Sequence, residues 1–210
     1  MGMKTCAGPS FSIDSLPDIS GTDCRELLRS VEIDANVSAI FVWLKQLRIA
    51  PYSYDFIDNR GIKSPDYIIE NLPPLNVNGH FLLAFHIFGF EEDSFISGRF
   101  CAPINPPLNL YLKDLFIEYR IVEQGTKKKL WCKVKGYYNN GLPSRGFFFV
   151  FSFVNKIMMT RQLRNIKKLS ERLTLGKVET RLYNLEGYFP KSGIHWWIFC
   201  RRHNCKGLIA

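Results

Sequence analysis

The stretch FFVFSFVNKIMMTRQLRNIKKLSERL, residues 148–173 of a 210-residue chain, decides how the sequence is read. Phe151, Val154, Met158, Gln162, Ile166, Leu169 and Leu173 recur at spacings of three and four, which is one side of an α-helix. Ile157, Met159 and Leu163 widen this apolar stripe, while Arg161, Arg164, Lys168 and Arg172 fall largely on the other side. The helix exceeds the ordinary length of ~11–12 residues, and Gly176 marks its stop.

Working outward toward the N-terminus, residues 80–138 switch to the two-residue period of strands. HFLLAFHIFGF, SFISGRFCAP, YLKDLFIEYRIVE and KKLWCKVKGYY are rich in β-branched and aromatic residues, with breaks near residues 91–93, 103–107 and 124–127. Leu115, Ile117, Tyr119 and Ile121 form an apolar face, opposite Phe116, Glu118, Arg120 and Val122. Further back, residues 26–33 read as a strand. Val37, Ile40, Phe41, Leu44 and Leu47 then give a helix that stops before Pro51. Ser64 before Pro65 predicts a second short helix ending at Pro73-Pro74. The predicted class is α+β: a curved antiparallel sheet with two short helices near its N-terminus, whose apolar face only the long C-terminal helix can cover. The predicted organisation is a mobile leader over 1–23, one domain over 24–174 and a basic extension over 175–210.

Two segments carry a family resemblance: APYSYDFIDN at 50–59 and MMTRQLRNIKKLSE at 158–171. With the element order between them, the chain resembles the SRPBCC superfamily of START-like, polyketide cyclase/dehydratase-like and pathogenesis-related ligand binders, and within it uncharacterised bacterial members. The likeness spans roughly residues 24–173. It implies a helix-grip fold with an internal cavity, and no particular reaction, since fold alone does not fix chemistry. Two departures stand out. Position 155, where the pattern leads one to expect an acidic residue, is Asn155, and the segment after Thr174 lies outside the pattern.

Composition is compatible with that expectation. Apolar residues make up 46%, charged residues 22% and aromatics 14%, with 17 Phe, enough rings to fill a large core or to line a ligand cavity. The net charge of +9 lies wholly in residues 151–210, where 12 Lys/Arg face 3 Asp/Glu; residues 1–150 hold 16 of each. Such a segment reads as a solvated helix face with a basic tail, the alternative being contact with nucleic acid or an anionic membrane surface. Cys6, Cys24, Cys101, Cys132, Cys200 and Cys205 are scattered, and the first ten residues lack an apolar signal core, so reduced thiols in the cytoplasm are expected. No 18-residue apolar run predicts a transmembrane helix.

The leading functional reading is a binder of a small hydrophobic molecule, such as a lipid, polyketide or aromatic metabolite, without cofactor. Phe85, Phe100, Tyr119, Trp131, Asn155, Met158, Met159 and Gln162 are the lining candidates, with Tyr54, Asp55 and Gln162 orienting a polar group. The enzymatic alternative is a cyclase or dehydratase in which Asp55 or Asp58, three apart beside Tyr54, serve as acid and base. His80 and His86, six apart on one expected strand, would lie ~20 Å from each other and share no metal. His195, Cys200, His203 and Cys205 match no standard zinc spacing, so no metal is expected. Trp196, Trp197, Arg201 and Arg202 could stack bases and hold phosphates, but a single short segment is thin support for nucleic-acid binding. Walker, GxGxxG, GxSxG and HExxH motifs are all lacking.

Overall fold

The computed structural model describes residues 9–53, 63–82, 84–101, 104, 107–125 and 127–183. Among them the elements are β1 (Thr22–Ile33), α1 (Val37–Gln46), β2 (Ile68–Ile69), β3 (His80–Phe81), β4 (Phe85–Glu91), β5 (Phe95–Phe100), β6 (Leu112–Gln124), β7 (Lys127–Asn139), α2 (Leu142–Thr174) and β8 (Thr180–Arg181). Six strands form one antiparallel sheet in the order β1-β7-β6-β5-β4-β3, and β2 pairs with β8 in parallel. The α+β helix-grip arrangement expected from the sequence is thus the one observed.

The period-two alternation sorts the sheet's residues between two faces. Ile117, Tyr119 and Ile121 of β6 and Leu130, Cys132 and Val134 of β7 look inward, joining Ile87, Ile96, α1 and the lower half of α2 in the main core. Asn36 begins α1, whose Ile40, Phe41, Trp43 and Leu44 are buried, as their helical spacing predicts. Two inward glycines shape the concave face. A Cβ on Gly98 would lie 2.7 Å from the Phe81 ring, and one on Gly136 would lie 2.6 Å from the Tyr138 ring. At both places an aromatic ring lies close against the backbone, where only glycine leaves room.

The outer face has its own cover. Phe11, Ile13 and Leu16, around a 3-10 turn at Ser12–Ser15, pack on Phe116, Trp131 and Tyr137. Glu118, fully buried here, is paired with Arg120 at 2.7 Å and accepts hydrogen bonds from the Ser12 hydroxyl and the Ile13 N–H. Lys133 reaches Asp14 at 2.5 Å and Glu26 at 2.9 Å, and the Lys135 ammonium donates to the carbonyls of Ile13 and Leu16. The part of the expected mobile leader that is described, from residue 9 onward, is therefore strapped to the sheet. Phe11, Ile13 and Leu16 are too few to register as a periodic pattern, yet they cover the rings on the outer face.

Three other expectations are corrected. Residues 63–73 contain β2 and bends but no helix, because Ile69 N–H is claimed by the Gln46 side chain at 2.6 Å and Ile68 pairs with β8. The long helix begins six residues earlier than expected, at Leu142, with Pro143 in its first turn where proline costs nothing. The single strand expected from His80 breaks at Leu82, whose φ is 44°, and folds back as β3–β4. His80 and His86 are consequently opposite one another across the hairpin and not some 20 Å apart.

The strap predicts a pH dependence. Burial pushes the Asp14 carboxyl upward, but the hydrogen bonds from Lys133 and the Phe11 N–H, with the charges of Lys133 and Lys135, outweigh it and hold its pKa below the usual value. A depressed carboxylate contributes stability above its unfolded pKa of ~3.9 and loses it as pH falls through the folded value. Proteolytic cleavage within residues 9–21 should rise as pH drops below about 4 in the wild type, and an Asp14→Asn variant should already be cleaved faster than the wild type at neutral pH. Equal resistance of both proteins at neutral pH would refute this role for Asp14.

Candidate functional site

The two halves of α2 meet the sheet differently. In the lower half, Met159, Gln162, Leu163, Ile166 and Leu169 are buried in the main core. In the upper half the residues facing the sheet are only half-buried: Phe147, Phe148, Phe151, Ser152 and Asn155. Their rings gather around the top of β7. Tyr138 lies 5.1 Å from Phe148, Tyr111 stacks on Phe147 at 5.1 Å, and Phe147 stacks on Phe151 at 5.8 Å.

Beside this cluster a half-open cleft of about 210 Å³ lies between the first turns of α2 and the ends of β1 and β7. Tyr138, Phe148 and Phe149 form its apolar walls, and Asp23, Arg25, Asn139, Ser144 and Arg145 its polar ones. Arg25 sits over the Phe148 ring at 5.6 Å and pairs with Asp23 at 3.1 Å. Two buried oxygens nearby, Asn109 Oδ1 and Ser152 Oγ, have no protein partner among the described residues. Buried polar atoms are rarely left so.

Below the cluster runs a buried polar chain. The Tyr119 hydroxyl donates to Gln162 Oε1, while the Gln162 amide donates to the Pro51 carbonyl. Arg161 donates to the Ser53 carbonyl at 3.0 Å and Asn165 to that of Tyr52 at 2.8 Å. Three consecutive carbonyls are therefore clamped by α2, holding Tyr52 at φ 53°, a left-handed conformation uncommon for a buried tyrosine. Gln46 adds a bond to the Tyr52 hydroxyl at 2.7 Å. The APYSYDF segment and the long helix, which carry the family resemblance separately in the sequence, are thus physically joined where they are described.

The titratable groups inside hold their protons. Burial raises the Tyr119 phenol well above its ordinary value, with Cys132 adding to it, and pushes the Cys132 thiol up to about 12. Burial also raises Tyr138. His80 is lowered to about 4, chiefly by burial and then by His86, and is neutral at pH 7. Among the described residues no group of three or more His, Cys, Asp or Glu could hold a metal ion.

Tyr119, Met159 and Gln162 lie in the buried lower part, while Asn155 and Met158 are half-buried above it. The Asn155 amide donates to its own helix at the Phe151 carbonyl, 2.9 Å away. Phe85 and Phe100 face each other across β4 and β5, ring centres 5.4 Å apart, on the concave side. Trp131 is corrected: it lies on the outer face with Phe11 and Ile13, because it alternates with the inward Leu130 and Cys132. Tyr54, Asp55, Asp58 and the tail residues His195, Cys200, His203 and Cys205 lie outside the described residues, as do Trp196, Trp197, Arg201 and Arg202. Sequence reasoning passed over Tyr111, Tyr138 and the Phe147-Phe148 pair. Gly136, two residues before Tyr138 on the same face, was the available signal.

Solved structures similar to this chain include norcoclaurine synthase from Thalictrum flavum (13% identity, 74% of this chain and 88% of that one, TM-score 0.44). A START superfamily protein from Mycobacterium smegmatis matches at 13% identity over 71% of this chain and 99% of that one, TM-score 0.43. Major latex-like protein 151 from Panax ginseng matches at 13% over 72% and 98%, TM-score 0.41. At these identities no residue role carries across. No family model and no curated protein matches the chain.

Proposed function

We propose that the chain binds a small, largely apolar molecule between the upper half of α2 and the sheet. One observation supports this most: Phe147, Phe148 and Phe151 point toward the sheet yet are only half-buried, next to a cleft with aromatic walls. Rings held this way offer apolar area at little further entropic cost. The cleft's volume is below the ~300–1,000 Å³ typical of sites for drug-sized ligands, which favours one ring system or a short chain with its polar end toward Arg25 and Arg145. Near neutral pH Tyr119, Tyr138 and Cys132 keep their protons and His80 stays neutral, so these four offer a bound molecule uncharged surroundings.

The test is uptake of 8-anilinonaphthalene-1-sulfonate, an aromatic anion, by the folded protein, with native mass spectrometry to detect co-purified molecules. Gly136→Ala would drive a methyl group into the Tyr138 ring and should weaken probe binding about tenfold, equivalent to ~1.4 kcal/mol. Phe148→Ala should do the same. Probe affinity unchanged in both variants would place binding elsewhere and end this reading.

A further inference from the structure

The outer side of α2 bears a second feature, which adjoins the cleft at Phe149. Leu142, Phe149, Phe153 and Ile157 align along it at spacings of seven, four and four, with Val150 on their flank, and all are exposed, Phe149 at 77% and Phe153 at 62%. Four turns of helix, about 22 Å, thus present apolar side chains to solvent. Ordinary surface residues are apolar singly, not in a continuous ridge. The same outer side continues with the exposed Arg161, Arg164 and Lys168. Across all of α2 there are seven Lys/Arg and one acid, Glu171.

We propose that this ridge docks on an anionic phospholipid surface. The charge pattern selects the occupant. A second copy would bring the same cations against these, in a chain of net charge +9, whereas anionic headgroups attract juxtaposed Lys and Arg. The shape agrees. A single helix seen from outside is a convex ridge with no groove for a partner's side chains, and a bilayer deforms around such a ridge without needing a matching surface. Phe149 and Phe153 enter the interface between headgroups and acyl chains, and the cationic turns rest on the headgroups. No helix among the described residues is long and apolar enough to cross a membrane, so the contact is peripheral.

The experiment is flotation of the full chain with vesicles of phosphatidylcholine, with and without about 30% phosphatidylserine, at low and high salt. The wild type should float with the anionic vesicles and be released by salt. Phe149→Ser with Phe153→Ser should lower partitioning at least tenfold, and Arg164→Glu with Lys168→Glu should remove the preference for phosphatidylserine. These side chains are exposed, so the melting temperature should stay at the wild-type value. In a Phe153→Trp variant, brominated lipid should quench fluorescence beyond the wild-type level. Failure of the wild type to float, or undiminished flotation of the double serine variant, would overturn the proposal. So would sedimentation showing a dimer that the serine variant dissolves while neither protein binds vesicles.

Discussion

Replacing Gln162 with leucine is expected to destabilise the fold by about 2–4 kcal/mol, since two buried groups lose their partner at ~1–2 kcal/mol each, the lower part of the usual range. Gln162 is 5% exposed and joins the Tyr119 hydroxyl to the Pro51 carbonyl. Leucine fills similar space but satisfies neither. For a chain of this size the melting temperature should fall by about 5–12 °C. Tyr119→Phe removes one of the groups left orphaned, so the double variant should be less damaged than the two single losses added together. A drop of under about 2 °C for Gln162→Leu, or strictly additive losses, would show that the chain of bonds contributes little.

Gly98→Val should cost about 2 kcal/mol, within the range for overpacking a dense core. Strand propensity alone points the other way, because valine is favoured over glycine by up to ~1 kcal/mol. The clash decides: the new Cβ would lie 2.7 Å from the Phe81 ring and 3.3 Å from the Phe85 Cβ. Phe81 is fully buried and set edge-on to Tyr119 at 6.1 Å, so its ring has nowhere to move. Urea denaturation would measure this, and a stabilised valine variant would mean that the Phe81 ring is not seated as described.

Much of the architecture was legible because its signals are local. The three-four spacing of Phe151 to Leu173 announced α2, and the alternation in β6 assigned Ile117, Tyr119 and Ile121 to the concave face. The same alternation placed Trp131 outside, so listing it as a cavity residue set size and aromaticity above register. The helix expected at Ser64-Pro65 failed for a non-local reason: Gln46, more than twenty residues away, and β8, more than a hundred away, claim that backbone. The hairpin at Leu82 failed for another, since no glycine or asparagine marks a turn that the fold forces on leucine.

What the sequence determined by itself is the class and order of elements and which side of each is apolar, because side-chain periodicity is a property of neighbouring residues along one chain. Only the tertiary structure decided that the lower half of α2 is buried and bonded to the sheet through Tyr119 and Gln162 while the upper half leaves aromatic rings half covered. The sheet-facing stripe at three-four spacing runs through both halves. Whether a given ring is buried depends on how near the opposing strands and loops come, and that distance is fixed by contacts between residues far apart in sequence.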